Sequence, residues 1–328
     1  MREKGLRTPN YHSTLAPWIM SFITEKRAGG YRYETGAYYM HQFDNFLIER
    51  SHKTSALSKE VVEAWTARRE NECSKTQMVR VQTLRQFAKF LIRNEVPAYL
   101  LPKRSLPVVR DTFMPYIFTL EQMGNIFAAL DRMTPDRRSP RRHIIMPEIF
   151  RVLYGCGLRI REALKLLVRD VDLVNGVLKV RDTKFGKDRL VPMVSSLTLR
   201  LRCYTERMGV RDDDAHFFPA PDGGRYHQVT IYSLFRDILT RLGIARDGKR
   251  PGIRVHDLRH TMAITCLKRW YQEGACLNAK IPVLSTYLGH RKIEATQRYL
   301  KWLPAIFPEI TATMESMTGD VIPRRRDR

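Results

Sequence analysis

Apolar residues recur at three- and four-residue spacing along most of this chain, which predicts helices over residues 18–27, 35–51, 59–69 and 75–93 and no strand before residue 97. In the last of these, Met78, Val81, Leu84, Phe87, Ala88 and Leu91 form an apolar stripe. Lys75, Arg80, Arg85, Lys89 and Arg93 fall on other faces, giving a basic outer side. Ser58 and Ser74 are the expected N-caps of the third and fourth helices, and Gly29-Gly30 breaks the first pair. Residues 97–115 carry Pro97, Pro102, Pro107 and Pro115 with Lys103, Arg104 and Arg110, the pattern of an extended basic linker.

Beyond the linker, Thr119-Leu-Glu-Gln122 fits a capping box opening a helix to about residue 132, and helices follow over 144–155 and 159–167. The period then changes to two over 170–174, 177–182 and 189–193, with Asn175-Gly176 as a tight hairpin turn. Helical spacing returns over 196–207, 230–242, 257–271 and 281–288, and again after Leu303. The expected fold is mainly α with one small antiparallel β-sheet, in two domains, 1–112 and 113–328.

Charge narrows the partner. Of 328 residues, 57 are Lys or Arg and 34 Asp or Glu, a net charge of +23, and the excess is spread over both domains. That favours a polyanion, while 43% hydrophobic residues exclude a disordered basic tail. The first ten residues lack the apolar run of a secretion signal, and no stretch reaches the roughly 18 apolar residues of a membrane span. The five cysteines, Cys73, Cys156, Cys203, Cys266 and Cys276, have neither zinc-site nor disulfide-framework spacing. Reduced thiols, a cytoplasmic, nucleoid-associated location and no metal or other cofactor are expected.

Three local patterns bear on chemistry: Gly155-Cys-Gly-Leu-Arg159-Ile-Arg-Glu162, His256-Asp-Leu-Arg259-His260-Thr, and Leu288-Gly289-His290 with Tyr299 following. Each has an ordinary reading as well. The arginines could be surface ion-pair residues, His256 a helix cap, and Tyr299 a core residue. Their joint order is what carries weight, and in it the chain resembles the tyrosine recombinases, the lambda-type integrases and Xer-like enzymes.

That resemblance implies a helical core-binding domain joined to an α+β catalytic domain that close together around duplex DNA. Arg159 matches the family's first arginine and Glu162 the acidic residue after it. Lys184 matches the hairpin lysine, within Thr-Lys184-Phe-Gly-Lys187-Asp-Arg189-Leu-Val-Pro, with Lys187 its close competitor. His256 and Arg259 match the His-x-x-Arg pair, His290 the second histidine and Tyr299 the nucleophile.

Cleaving a phosphodiester through tyrosine suits this set of groups. Two guanidiniums can clamp the non-bridging oxygens of the transition state. The phenol, with an ordinary pKa near 10, must lose its proton as it attacks, and His256 is the expected acceptor. Lys184 would protonate the leaving 5′ oxygen, and His290 would donate to the phosphate. Glu162 would orient its neighbours, with His260 in packing or support.

Lys75, Arg80, Arg85, Lys187 and Arg189 are the candidate DNA contacts. Ile306, Phe307, Ile310 and Met314 have near-helical spacing, and the resemblance implies a last helix that docks on a neighbouring protomer in a tetramer on DNA, the alternative being that it folds back on its own domain. The expected function is a site-specific recombinase, tilted towards a mobile-element integrase or transposon enzyme by the Arg-rich 134–143 stretch and the Phe113-Met-Pro-Tyr-Ile-Phe segment. Xer-type dimer resolution, a topoisomerase IB-like enzyme and a catalytically silent DNA-binding protein are the alternatives.

Overall fold

The computed structural model describes residues 10–109, 114–181, 188–244, 252–302, 312 and 315–316. The chain divides into two compact units, Met1–Thr112 and Phe113–Arg328.

The first unit contains α1 (Ala16–Ala28), α2 (Glu34–Glu49), α3 (Lys59–Thr66) and α4 (Ser74–Arg93). Phe22, Phe43, Trp65, Phe87 and Phe90 interlock at its centre with ring centroids 5.2–6.4 Å apart. Each such ring contributes roughly 1.5–3 kcal/mol by burial. Buried Asp44 on α2 accepts hydrogen bonds from the backbone N–H groups of His12 and Ser13, fixing the approach to α1.

Ser58 caps α3 as its sequence predicts, its Oγ accepting from Val61 N–H. Ser74 does not cap α4; it is the first helical residue, and Cys73 occupies the cap position. The expected helix over 59–69 stops at Thr66 because Arg80 reaches across and donates to the carbonyls of Trp65 and Ala67.

Arg80 is therefore no DNA contact. It is fully buried, and its Nε and Nη2 grip the Glu72 carboxylate at 2.9 and 2.6 Å. Arg80→Ala leaves that carboxylate and two carbonyls without their donor, a cost of about 3–5 kcal/mol. A large drop in urea midpoint is expected, whereas exposed Lys75→Ala should stay within about 0.5 kcal/mol of wild type. Arg85 is half-buried, its Nε donating to Leu101 O at 2.7 Å.

The expected linker begins inside this unit. Leu57 N–H donates to Pro97 O, Tyr99 N–H donates to Leu57 O, and Leu101 is buried in the core. Residues 97–101 thus close the bundle, because the apolar run Ala98–Leu101 packs on its core, with Tyr99 and Leu101 beside Val62 of α3 and Leu84 of α4.

The second unit begins with α5 (Leu120–Asp131), opened by the capping box between Thr119 and Gln122, with bonds of 3.1 and 3.0 Å. Then come α6 (Arg142–Gly155), the one-turn α7 (Ile160–Ala163), β1 (Val171–Asp172), β2 (Val177–Val180) and β3 (Arg189–Pro192). They are followed by α8 (Ser195–Met208), α9 (Gln228–Arg241), α10 (His256–Gln272), α11 (Leu277–Leu288) and α12 (Glu294–Gln297). A 3₁₀ turn, Arg298–Trp302, carries Tyr299. The buried helix α6 packs against α5, α8 and α10, and the approach to α5 is pinned where Phe118 N–H donates to Thr261 Oγ1 on α10.

The sheet is antiparallel in the order β1-β2-β3, with Val180 opposite Arg189 and Leu178, Val180 and Val191 facing the core. Two local expectations change. The helix expected over 159–167 shrinks to one turn because Leu166 O and Val168 N–H are drawn into backbone bonds with Phe217 and Ala215. The expected two-residue hairpin turn is a four-residue loop. Asp172 Oδ1 accepts from the N–H groups of Val174 and Asn175, leaving Gly176 as the left-handed residue at φ +67°.

Lys184, Lys187 and the expected docking residues Ile306, Phe307, Ile310 and Met314 lie outside the described residues.

Candidate active site

The site assembles where α6, β3, α10, α11 and the Tyr299 turn meet. Arg259, on the first turns of α10, is almost wholly buried, and its two Nη atoms donate to Gly157 O at 2.6 Å and Leu288 O at 2.5 Å. Those carbonyls lie at the ends of α6 and α11, so one guanidinium ties three helices together. Gly157 takes φ +58°, and a Cβ there would stand 2.9 Å from Leu288 Cδ2; only glycine lets the two helix ends close on Arg259.

Arg159 precedes α7. Its Nη1 pairs with Glu162 Oε1 at 2.7 Å and its Nη2 donates to Gly289 O at 3.1 Å. Glu162 also accepts the Arg159 backbone N–H at 2.9 Å, the reciprocal half of a helix cap.

Arg189 takes both oxygens of the same carboxylate, at 3.2 and 2.9 Å, and its Nε donates to Tyr287 O at 3.0 Å. The expected phosphate contact at the strand end is thus a buried clamp, its side chain one-tenth exposed. A buried carboxylate satisfied from two sides outcompetes solvent for that fork. Burial alone would raise the Glu162 pKa, but Arg189 and Arg159 outweigh it and hold the group down to about 2. Glu162 is therefore a carboxylate at every working pH and sets the direction of both arginines.

His290 follows Gly289, the left-handed C-cap of α11, and its Nδ1 bonds Thr296 Oγ1 at 2.7 Å. Its ring stacks at 6.1 Å from that of Tyr299. Thr296, fully buried on α12, is a site residue that sequence reasoning misses; a short polar residue in the loop between His290 and Tyr299 was its only mark.

Tyr299 is buried, packed edge-on against Trp302 at 5.8 Å. Its hydroxyl is hydrogen-bonded to His260 Nδ1 at 3.1 Å and to the Arg259 guanidinium. Burial raises the phenol pKa, while the Arg259 charge and hydrogen bond, with Arg159 behind it, pull the other way. The expected partner of this hydroxyl is His256 with His260 in support, and the contact is instead made by His260. His256, at the start of α10, packs edge-on against the His260 ring at 4.7 Å. The two rings lie one turn apart on the same face of α10, and the one nearer the Tyr299 turn makes the contact.

The histidines are held neutral. His256 keeps an edge open to solvent, yet the protein around its ring, then the Arg259 charge, push its pKa down to about 4. Burial and His256 bring His260 down to about 3, and burial and Arg259 do the same for His290. Below the ordinary pKa near 6.5 the unfolded chain takes up protons that the folded one refuses. Stability contributed by these rings is complete above pH 6.5 and is lost as pH falls towards 4 and then 3. The urea midpoint should therefore decline between pH 7.5 and pH 5, above the range in which Glu162 titrates; a flat midpoint there would contradict neutral histidines.

Among the described residues no group of three or more His, Cys, Asp or Glu side chains could hold a metal ion, and no helix is long and apolar enough to cross a membrane. Two guanidiniums, three neutral imidazoles and a phenol in one cluster suit an anionic, tetrahedral reacting group.

Comparison with known proteins agrees. Residues 117–304, which contain every site residue above, match the phage integrase family. The chain is 29% identical over 316 residues to the integrase/recombinase y4rB of Sinorhizobium fredii, covering 94% of this chain and 99% of that one. It is 30% identical over 240 residues to tyrosine recombinase XerA of Thermococcus onnurineus, covering 71% and 73%.

In fold it is similar to the XerH site-specific recombinase bound to its difH substrate, with a TM-score of 0.64, 15% identity and coverage of 91% and 95%. It is likewise similar to the Tn1549 transposon integrase in complex with transposon right end DNA, at 0.63, 19%, 91% and 98%. The chain belongs to the phage integrase family and is a tyrosine recombinase, an enzyme that cuts and rejoins DNA at specific sites.

Proposed function

We propose that this recombinase acts for a mobile element, in integration, excision or transposition, through a 3′-phosphotyrosyl intermediate on Tyr299. The observation that carries the chemistry is the Tyr299 hydroxyl held against the Arg259 guanidinium, with Arg159 aligned by Glu162 beside it. Arg159 and Arg259 bind the scissile phosphate, and His256 and His290 donate to its oxygens. Lys184 protonates the leaving 5′ oxygen. The phosphotyrosine conserves the bond energy, and a 5′ hydroxyl from another strand resolves it.

The first unit contributes DNA affinity through exposed cations such as Lys75 and the outer N–H groups of Arg85, and four copies assemble on two sites. The mobile-element role is supported by likeness to y4rB over nearly its full length and by the fold shared with a transposon integrase. A second reading, chromosome-dimer resolution, is favoured by 29% identity over 293 residues to XerC of Oceanobacillus iheyensis.

The test uses nicked suicide duplexes built from the junctions flanking the gene and, separately, from the chromosomal dimer-resolution site. Covalent trapping at the 3′ phosphate in the presence of EDTA, on the junction duplex alone, is the expected result. Trapping only on the chromosomal site would replace the mobile-element role, and no trapping on either would overturn the chemistry.

A further inference from the structure

For Tyr299 to attack, its proton must leave as the oxygen–phosphorus bond forms. The hydroxyl sits between two groups of opposite use. Arg259 can only donate, so it stabilises a phenolate oxygen; His260 Nδ1, at 3.1 Å, can accept. With its proton on Nε2, the neutral His260 ring directs a lone pair at the phenol. We infer that His260 is the catalytic base that takes the Tyr299 proton, and that His256, packed edge-on against it, serves the phosphate. The inference rests on Tyr299 being the nucleophile.

In the forward step the Tyr299 oxygen bonds to phosphorus, its proton passes to His260 Nδ1, the P–O5′ bond breaks, and Lys184 protonates the departing O5′. Religation runs the same transfers backwards: the incoming 5′ hydroxyl gives its proton to Lys184, and imidazolium returns a proton to the phenolate as it leaves. Charge and protons balance with no other reactant.

The surroundings of His260 make its strength depend on DNA. Burial, His256, Arg254, Arg259 and His290 all disfavour imidazolium in the free protein. A phosphate seated on Arg159 and Arg259 brings negative charge into that cluster, offsets the cations and makes the ring a better acceptor. Without substrate, Tyr299 stays a protonated phenol.

The test is single-turnover cleavage by full-length protein on a suicide duplex, with two leaving groups and two variants, DNA binding being measured alongside. His260→Ala should cleave about 10²–10⁴-fold more slowly while binding DNA like wild type. His260→Asn offers an amide that can accept the hydrogen bond but not the proton, and it should remain as slow. A 5′-bridging phosphorothiolate, whose thiolate leaves without protonation, should not restore either variant.

Wild-type rate in His260→Ala, recovery by Asn, or recovery by the sulfur substrate would overturn the assignment. Each of those results leaves Tyr299 as nucleophile, since the wild-type adduct still forms. Loss of the wild-type adduct itself would instead strike the underlying mechanism.

Discussion

Tyr299→Phe binds duplex DNA as the wild type does and forms no covalent adduct, a loss of at least ~10³-fold in single-turnover cleavage. The substitution removes one oxygen and little else. The ring keeps its packing against Trp302, His260 and His290, so the fold forfeits only the hydroxyl's hydrogen bonds, about 0.5–1.5 kcal/mol each. Binding survives because affinity comes from many phosphate contacts spread over a chain of net charge +23. Adduct formation measured on the nicked duplex, with binding measured by gel shift on an intact one, separates the two. Persistent adduct in the variant would place the nucleophile elsewhere.

The second large effect is expected at Arg259. Arg259→Ala removes the cation that touches the Tyr299 oxygen, and cleavage should fall by about 10²–10³-fold or more, as when a preorganised donor to a developing anion is lost. Arg259→Lys should rescue little. An ammonium cannot span two fixed carbonyls at 2.6 and 2.5 Å and still present an N–H to the phenol, which is what the planar fork does here. Both variants should also lose stability, because Gly157 O and Leu288 O are left without their donor. Urea midpoints with single-turnover rates check the two effects separately, and near-wild-type cleavage by Arg259→Lys would show that charge alone suffices.

Most of the helical framework is legible in the sequence because periodicity and capping act locally. The Thr119 box, the Ser58 cap and the left-handed Gly176 are set by residues within a few positions. What escapes is set at a distance. Arg80 reads as a surface cation, yet it lies in register with Leu84, Phe87 and Leu91 on the inward stripe of α4 and is neutralised there by Glu72.

Arg189 reads as a phosphate contact because its partner, Glu162, is 27 residues away and already matched with Arg159. The His-x-x-Arg-His pattern brings both histidines to the site on one face of α10, but which one meets the tyrosine follows from where the Arg298–Trp302 turn sets Tyr299. Spacing within His256-Asp-Leu-Arg259-His260 says nothing of that turn. The α7 stub and the packed start of the proline-rich stretch escape for the same reason: backbone partners at 215–217 and at Leu57 decide them.

The central claim is that one phenolic oxygen, held by Arg259 and His260, becomes bonded to DNA. Its most direct measurement is mass spectrometry of the adduct trapped on a suicide duplex, after nuclease and protease digestion. The account predicts a nucleotide remnant on the peptide carrying Tyr299, joined through the 3′ phosphate. A remnant on any other residue, or one joined through a 5′ phosphate, would contradict it.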